Sequence, residues 1–84
     1  MLFKTTITYE KFATVDVIID ATDSREALRV LLSKFNRSDI FSAVIKVDNQ
    51  MVVRYTSSRA NNKKGAIAEF FSADTGNLVE TIHP

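Results

Sequence analysis

The 84-residue sequence has no cysteine, no tryptophan, a single proline and only two glycines. Without cysteine it has neither a disulfide framework nor a thiolate metal site. Because small secreted domains usually depend on disulfides, we expect a cytoplasmic protein. Neither of the glycine-rich phosphate loops, GxxxxGK or GxGxxG, occurs in the chain. Nucleotide hydrolysis and dinucleotide binding are therefore not expected.

The chain also lacks a long apolar run. No stretch reaches the roughly 18 apolar residues of a membrane span. Residues 2–9 alternate between apolar and polar types instead of forming the apolar core of a signal peptide. We therefore expect no membrane association. A composition of 45% hydrophobic and 25% charged residues is typical of a folded globular chain, so residues 1–84 should form one compact domain.

The net charge is only +1, with an isoelectric point near 8.1. A protein that mimicked DNA would be strongly acidic, whereas a domain held on nucleic acid by bulk charge usually has an isoelectric point above about 9. This chain is neither of these. Any attraction of a partner by charge must therefore come from local clusters of basic residues.

The alternation of apolar and polar residues with a period of two predicts six strands. They cover residues 2–9, 14–20, 41–47, 51–56, 66–71 and 78–82. Asp48 and Asn49 tolerate left-handed backbone and predict a hairpin between the third and fourth strands. Gly76 is expected to supply the positive φ of a tight turn between the last two strands.

One helix is predicted between the second and third strands. Asp23 should accept from the exposed amides of the first turn, and Glu26 should reach back to complete a capping box. An apolar face follows at helical spacing. Its residues are Ala27, Leu28, Leu31 and Phe35. The polar residues from Asn36 onward should end the helix.

These elements predict an α+β fold in which a single helix packs on a mainly antiparallel sheet of five to six strands, in the order ββαββββ. Short turns favour antiparallel neighbours, because parallel pairing needs longer crossovers. The helix covers one sheet face. The other face should leave apolar side chains partly exposed, which often marks a partner, and a homodimer would cover them. These side chains are Leu2, Ile18, Val44, Val52, Ile67 and Phe71.

The sequence predicts no catalytic, cofactor or metal site, and we do not expect an enzyme. The only histidine, His83, precedes the final proline, where a catalytic side chain would be poorly held. Asp16 and Asp20 on one strand would be roughly 13 Å apart, too far to share a cation.

Basic residues suggest two partner-binding surfaces. Arg25, Arg29 and Arg37 fall at i, i+4 and i+12 and predict an outward stripe on the helix. The segment 50–64 contains no acidic residue and forms the second basic cluster. Its basic residues are Arg54, Arg59, Lys63 and Lys64. A simpler interpretation is that the stripe is a solvated helix face and the segment a solubilising loop.

Residues 19–28 have the sequence Ile-Asp-Ala-Thr-Asp-Ser-Arg-Glu-Ala-Leu, preceded by a pair of strands and followed by a hairpin through residues 47–49. This order resembles one family of small phage-encoded anti-defence proteins, the type I-F anti-CRISPR proteins with one helix on an antiparallel sheet. The resemblance implies a protein that binds a CRISPR surveillance complex and obstructs target DNA through exposed lysines. Lys63 and Lys64 would serve that role here. The strands after Gly65 depart from the family pattern.

The leading functional hypothesis is therefore a non-enzymatic phage or mobile-element accessory protein that inhibits a host defence complex by direct binding in the host cell cytoplasm. An alternative is a small nucleic-acid-binding or regulatory module that uses the basic region 54–64. A second alternative is a self-associating structural or assembly subunit.

Overall fold

The computed structural model describes residues 1–10, 13–62 and 64–84. It confirms the α+β fold and the order ββαββββ. The strands are β1 (Leu2–Tyr9), β2 (Thr14–Asp20), β3 (Ile40–Val47), β4 (Gln50–Thr56), β5 (Ile67–Phe71) and β6 (Leu78–Ile82). The helix α1 spans Ser24–Lys34, and a short 3₁₀ turn, Arg37–Asp39, leads into β3.

The six strands form one sheet in the order β2-β1-β3-β4-β5-β6, with every neighbouring pair antiparallel. Because β2 and β3 flank β1, they run parallel to each other, and α1 is the crossover that connects them. All other connections join neighbouring strands. The sheet edges are β2 and β6.

A side-chain cap begins α1, and a residue with extended backbone ends it. Asp23 caps the first turn by accepting from the Glu26 amide at 2.8 Å. The Glu26 carboxylate accepts from the Thr22 amide at 3.0 Å, one residue earlier than the cap amide that we expected. The helix ends at Lys34 because Phe35 takes an extended conformation. Within the described residues, no helix is long and apolar enough to cross a membrane.

The core lies between α1 and the sheet face that it covers. The alternating residues of β1, β3 and β4 supply one side of it, and α1 contributes Ala27, Leu28 and Leu31. Its largest fully buried apolar and aromatic side chains are Tyr55, Phe3, Ile7, Leu31, Ile40, Ile45 and Val53. On β1, β2, β3 and β5, the buried residues alternate with those predicted to lie on the open sheet face, which confirms the prediction for these strands.

The predicted hairpin between β3 and β4 is confirmed. Asp48 and Asn49 have φ values of 50° and 64°, as a two-residue turn with left-handed backbone at both positions requires. Gly76 likewise has φ 76° in the turn before β6. Both turns therefore follow directly from the residue types at these positions.

The prediction that Val52 is partly exposed on the open sheet face is wrong. The register between β3 and β4 shifts after Ile45, which pairs with Val53, so that Lys46 pairs with Met51 and Val52 is an extra residue in its strand. Val52 is only 3% exposed and belongs to the core, not to the open sheet face. Strict alternation cannot locate such a bulge. Leu2 and Ile18 are exposed as predicted.

Candidate functional site

Two neighbouring grooves border the helix side of the molecule. The first, the helix groove, has a volume of ≈ 400 Å³ and is lined by α1 together with Phe70, Ile82 and Pro84. The second, the loop groove, has a volume of ≈ 680 Å³ and is lined by the 3₁₀ turn and the start of the β4–β5 loop. Arg37 and Pro84 line both grooves, which therefore meet.

The helix groove combines charge with apolar surface. Its arginines, Arg25, Arg29 and Arg37, are all exposed. Its apolar side chains are buried or half-buried: Leu28, Leu32, Phe70 and Ile82. A groove of this kind can take an apolar group at its base while its arginines contact carboxylates or phosphates.

Arg25 connects the helix to the far strands of the sheet. Phe70 and Glu80 are cross-strand partners on β5 and β6, and both face Arg25. The guanidinium carbon lies 4.9 Å from the Phe70 ring centroid and the guanidinium pairs with the Glu80 carboxylate. The charge of Arg25 is therefore engaged within the fold.

Arg29 is the most available arginine on α1. Its side chain is 75% exposed, and its single ion pair, with Glu26, has a distance of 3.3 Å. Such an exposed pair, three residues apart on one helix, contributes little stability. A ligand carboxylate or phosphate could therefore compete for Arg29 at small cost to the fold.

Arg37 does not lie on the helix, contrary to the predicted i, i+4, i+12 stripe. Because α1 ends at Lys34, Arg37 begins the 3₁₀ turn, where the Asn36 side chain accepts from the Ser38 amide at 3.2 Å and from the Ser38 hydroxyl at 2.8 Å. Among the described residues, the Arg37 side chain makes no ion pair. The turn nevertheless brings Arg37 back to the groove that Arg25 and Arg29 line.

Arg54 is separated from the other arginines. It lies on the open sheet face opposite Glu69, and the two side chains pair at 2.7 Å. Its guanidinium carbon is also 5.8 Å from the Phe71 ring centroid. Arg54 therefore stabilises the outer face of β4 and β5 and contributes nothing to either groove.

The loop after β4 is ordered by its own hydrogen bonds. The Asn61 amide donates to the Ser57 carbonyl at 3.0 Å, the Ala60 amide to the Ser57 hydroxyl at 3.3 Å, and the Asn61 side chain to the Gly65 carbonyl at 3.1 Å. Although the segment contains no acid, Arg59 pairs with Glu10 at 3.0 Å. Its positive charge is thus partly compensated from the β1–β2 connection.

The structure describes one of the two lysines that were predicted to bind a partner. Lys64 is exposed and makes no ion pair with the described residues. Lys63 lies outside the residues that the structure describes, so its role stays a prediction. In the described part of the chain, no group of histidine, cysteine, aspartate or glutamate side chains is arranged to hold a metal ion.

Sequence reasoning missed Tyr55 as a groove residue. Tyr55 is 1% exposed, yet it lines the loop groove beside Arg37, Arg59 and Ser58. No hydrogen bond joins its hydroxyl to the described residues, and because that oxygen is not one of their buried, unpartnered atoms, it opens onto the groove. The alternation pattern correctly assigns Tyr55 to the core, but alternation carries no information about whether its hydroxyl is satisfied.

No protein-family model, curated protein or solved structure matches this chain. The resemblance to type I-F anti-CRISPR proteins therefore stays a prediction from sequence pattern. The structure shows where the predicted arginines lie. Arg25, Arg29, Arg37 and Arg59 surround two joined grooves, while Arg54 occupies the opposite sheet face.

Proposed function

We propose that this protein is a non-enzymatic binding protein whose helix groove engages an acidic, partly apolar segment of a protein complex. The observation that carries this proposal is the pairing of exposed Arg29 and Arg37 with a base formed by Leu28 and Leu32. Binding surfaces commonly combine a desolvated apolar anchor with charged groups around it. Arginine is suited to carboxylates in this setting because its guanidinium can bind both oxygens at once.

A protein partner is favoured over nucleic acid by the ion pairs within the fold. Four of the five arginines are paired with glutamates, which are Glu80, Glu26, Glu69 and Glu10. Nucleic-acid affinity depends chiefly on uncompensated cations that displace counterions from phosphates. Arginines already compensated by carboxylates provide less of that attraction. Apolar contact, in contrast, is available in the helix groove through the half-buried Leu32 and Ile82.

For the partner, we propose the class that the resemblance implies: a host defence complex, in particular a CRISPR surveillance complex. The chain would then be a phage or mobile-element accessory protein that acts in the host cell cytoplasm. Its small size and the absence of a predicted active site are consistent with inhibition by occupancy. The strand pair, residues 19–28 and the β3–β4 hairpin support this choice.

The direct test is binding to a purified, RNA-loaded type I-F surveillance complex, measured by biolayer interferometry. We expect Arg29→Glu with Arg37→Glu to weaken binding at least about tenfold, because two charge-assisted contacts become repulsive. The matched control reverses Lys4 and Lys46, two exposed cations on the opposite sheet face. The control should bind like the unmodified protein.

Two results would contradict this proposal in different ways. Absence of binding by the unmodified protein at micromolar concentration would exclude the surveillance complex as the partner. Equal weakening by the groove variant and the Lys4 and Lys46 control would show that net charge, not the helix groove, determines binding.

Nucleic acid is the second candidate, supported by the unpaired Arg37 and the exposed Lys64. Fluorescence anisotropy with labelled single- and double-stranded DNA and RNA tests it directly. Binding that weakens steeply between low and physiological salt would establish this function, because each phosphate contact releases counterions. Absence of binding at low salt would exclude it.

Self-association is the third candidate. It is supported by β6, an edge strand whose Leu78 and Val79 are exposed. An exposed apolar edge can pair with a second copy of the same strand. Neither groove is lined by Leu78 or Val79, whereas Ile82 at the end of the same strand lines the helix groove.

A further inference from the structure

The Tyr55 side chain is buried, but its hydroxyl is not one of the buried, unpartnered atoms of the described residues and opens onto the loop groove without a hydrogen bond to them. Tyr55 is 1% exposed, and its strand neighbours on the core face are Ala43 and Ala68, whose small side chains leave room for its ring. A tyrosine whose ring is in the core usually directs its hydroxyl to a hydrogen-bond partner at the edge of the core. Because Tyr55 also lines the loop groove, a molecule in that groove is the natural partner for it.

The loop groove is rich in donors. Arg37 has all five of its guanidinium N–H groups free of ion pairs with the described residues. Arg59 uses one nitrogen on Glu10 and keeps the others, and the Ser58 hydroxyl has no hydrogen-bond partner among the described residues. The described residues that line the groove include no aspartate or glutamate. Such a lining attracts an oxyanion, and Glu10, which pairs with Arg59, offsets part of that attraction.

The size of the loop groove also fits a small molecule. Its volume of ≈ 680 Å³ lies within the range of roughly 300–1,000 Å³ that is usual for ligand sites. Ala66 and Pro84 add apolar surface to the polar lining. A ligand with both an anionic group and an apolar body would use both parts.

We propose that the loop groove binds a small organic oxyanion, a phosphate or carboxylate attached to an apolar body. Arg37 pairs with the oxyanion, and the Tyr55 hydroxyl donates a hydrogen bond to the ligand. This site shares Arg37 and Pro84 with the helix groove, but Tyr55 lines only the loop groove and Arg29 lines only the helix groove, so these two residues distinguish the sites.

The test is a titration with three probes of matched shape, followed by NMR of backbone amides and arginine side chains. Phenyl phosphate and benzoate carry the two oxyanions, and benzyl alcohol is the neutral control. We expect the anions to shift the resonances of Ser58 and Arg37 and benzyl alcohol to leave them unchanged. Saturation by phenyl phosphate alone or by benzoate alone would identify which oxyanion the groove selects.

Substitutions then assign the contacts. Tyr55→Phe should weaken binding of the preferred probe about 3- to 10-fold, the usual effect of one lost hydrogen bond. Arg37→Gln should weaken it at least about tenfold. Lys46→Gln, which removes a positive charge on the opposite sheet face, should leave binding unchanged. Because the Tyr55 hydroxyl has no hydrogen-bond partner among residues 1–10, 13–62 and 64–84, Tyr55→Phe should fold with unreduced stability.

Three results would overturn the proposal. They are the absence of anion-dependent shifts at millimolar probe, equal binding of benzyl alcohol, and unchanged affinity in Tyr55→Phe. The outcome is independent of the proposed function. Arg29→Glu should weaken capture of the surveillance complex but leave the affinity for phenyl phosphate unchanged. Tyr55→Phe should weaken the affinity for phenyl phosphate but leave capture of the surveillance complex unchanged.

Discussion

Arg25 lies over the ring of Phe70, with its guanidinium carbon 4.9 Å from the ring centroid. Phe70 is on β5, whereas the helix that carries Arg25 packs mainly on β2, β3 and β4. The same guanidinium pairs with Glu80 on β6. Arg25 therefore connects α1 to β5 and β6, which lie beyond the strands on which the helix mainly packs.

The first prediction compares Arg25 with Arg29. Arg25→Ala should lower the free energy of unfolding by about 1–2 kcal/mol, because it removes a cation–π contact and an ion pair. Arg29→Ala should lower it by at most about 0.5 kcal/mol, since its pair is exposed and local. Urea denaturation followed by circular dichroism measures both. Equal losses for the two variants would show that Arg25 does not join α1 to β5 and β6.

The second prediction concerns the helix cap. Asp23→Ala should lower the free energy of unfolding by about 1 kcal/mol, because the Glu26 amide loses its acceptor. Asp23→Asn should retain most of the stability, since an asparagine side chain also caps. Asp74→Ala, at an exposed turn position, is the control and should change little. A larger loss at Asp74 than at Asp23 would contradict the role of the cap.

Local sequence signals were sufficient for most of the fold. The Asp23 cap, the apolar face through Leu31 and the Asp48-Asn49 turn each depend on residues close together in the chain. Strand alternation needs only neighbouring residues as well. For this reason the element order and the interior faces of β1, β2, β3 and β5 could be predicted before any tertiary contact was known.

The charge pairing could not be predicted in the same way. Glu80 and Glu10 compensate Arg25 and Arg59 from distant parts of the chain, and only the sheet topology brings them together. The basic clusters therefore looked more positive in sequence than they are in the fold. The bulge that buries Val52 is likewise a product of strand pairing.

The third prediction separates folding from binding on α1. Leu31 is fully buried, so Leu31→Ala should lower the free energy of unfolding by about 2–5 kcal/mol. Leu32 is half-buried and lines the helix groove, so Leu32→Ala should lower it by only about 1 kcal/mol. The binding experiment should nevertheless show clear weakening for Leu32→Ala. Unchanged affinity would remove the apolar base of the groove from the proposed interface.

The fourth prediction concerns the two sheet edges, which differ in charge. If two copies of β2 paired antiparallel about Ile18, Asp16 of each copy would face Asp20 of the other, and like charges opposite each other destabilise a sheet. On β6 the only charged residue is Glu80, which pairs with Arg25 on the helix side. Of the two edges, β6 is therefore the one open to a second copy.

We accordingly expect light scattering to show a concentration-dependent dimer that forms through β6. Val79, which is 66% exposed, is the residue to change: Val79→Lys should yield a monomer, because a lysine on an edge strand opposes pairing. Val15→Lys introduces the same charge on the exposed edge strand β2 and should leave the dimer intact. A dimer lost in Val15→Lys but kept in Val79→Lys would assign association to β2, and a monomer at millimolar concentration would exclude the β6 dimer.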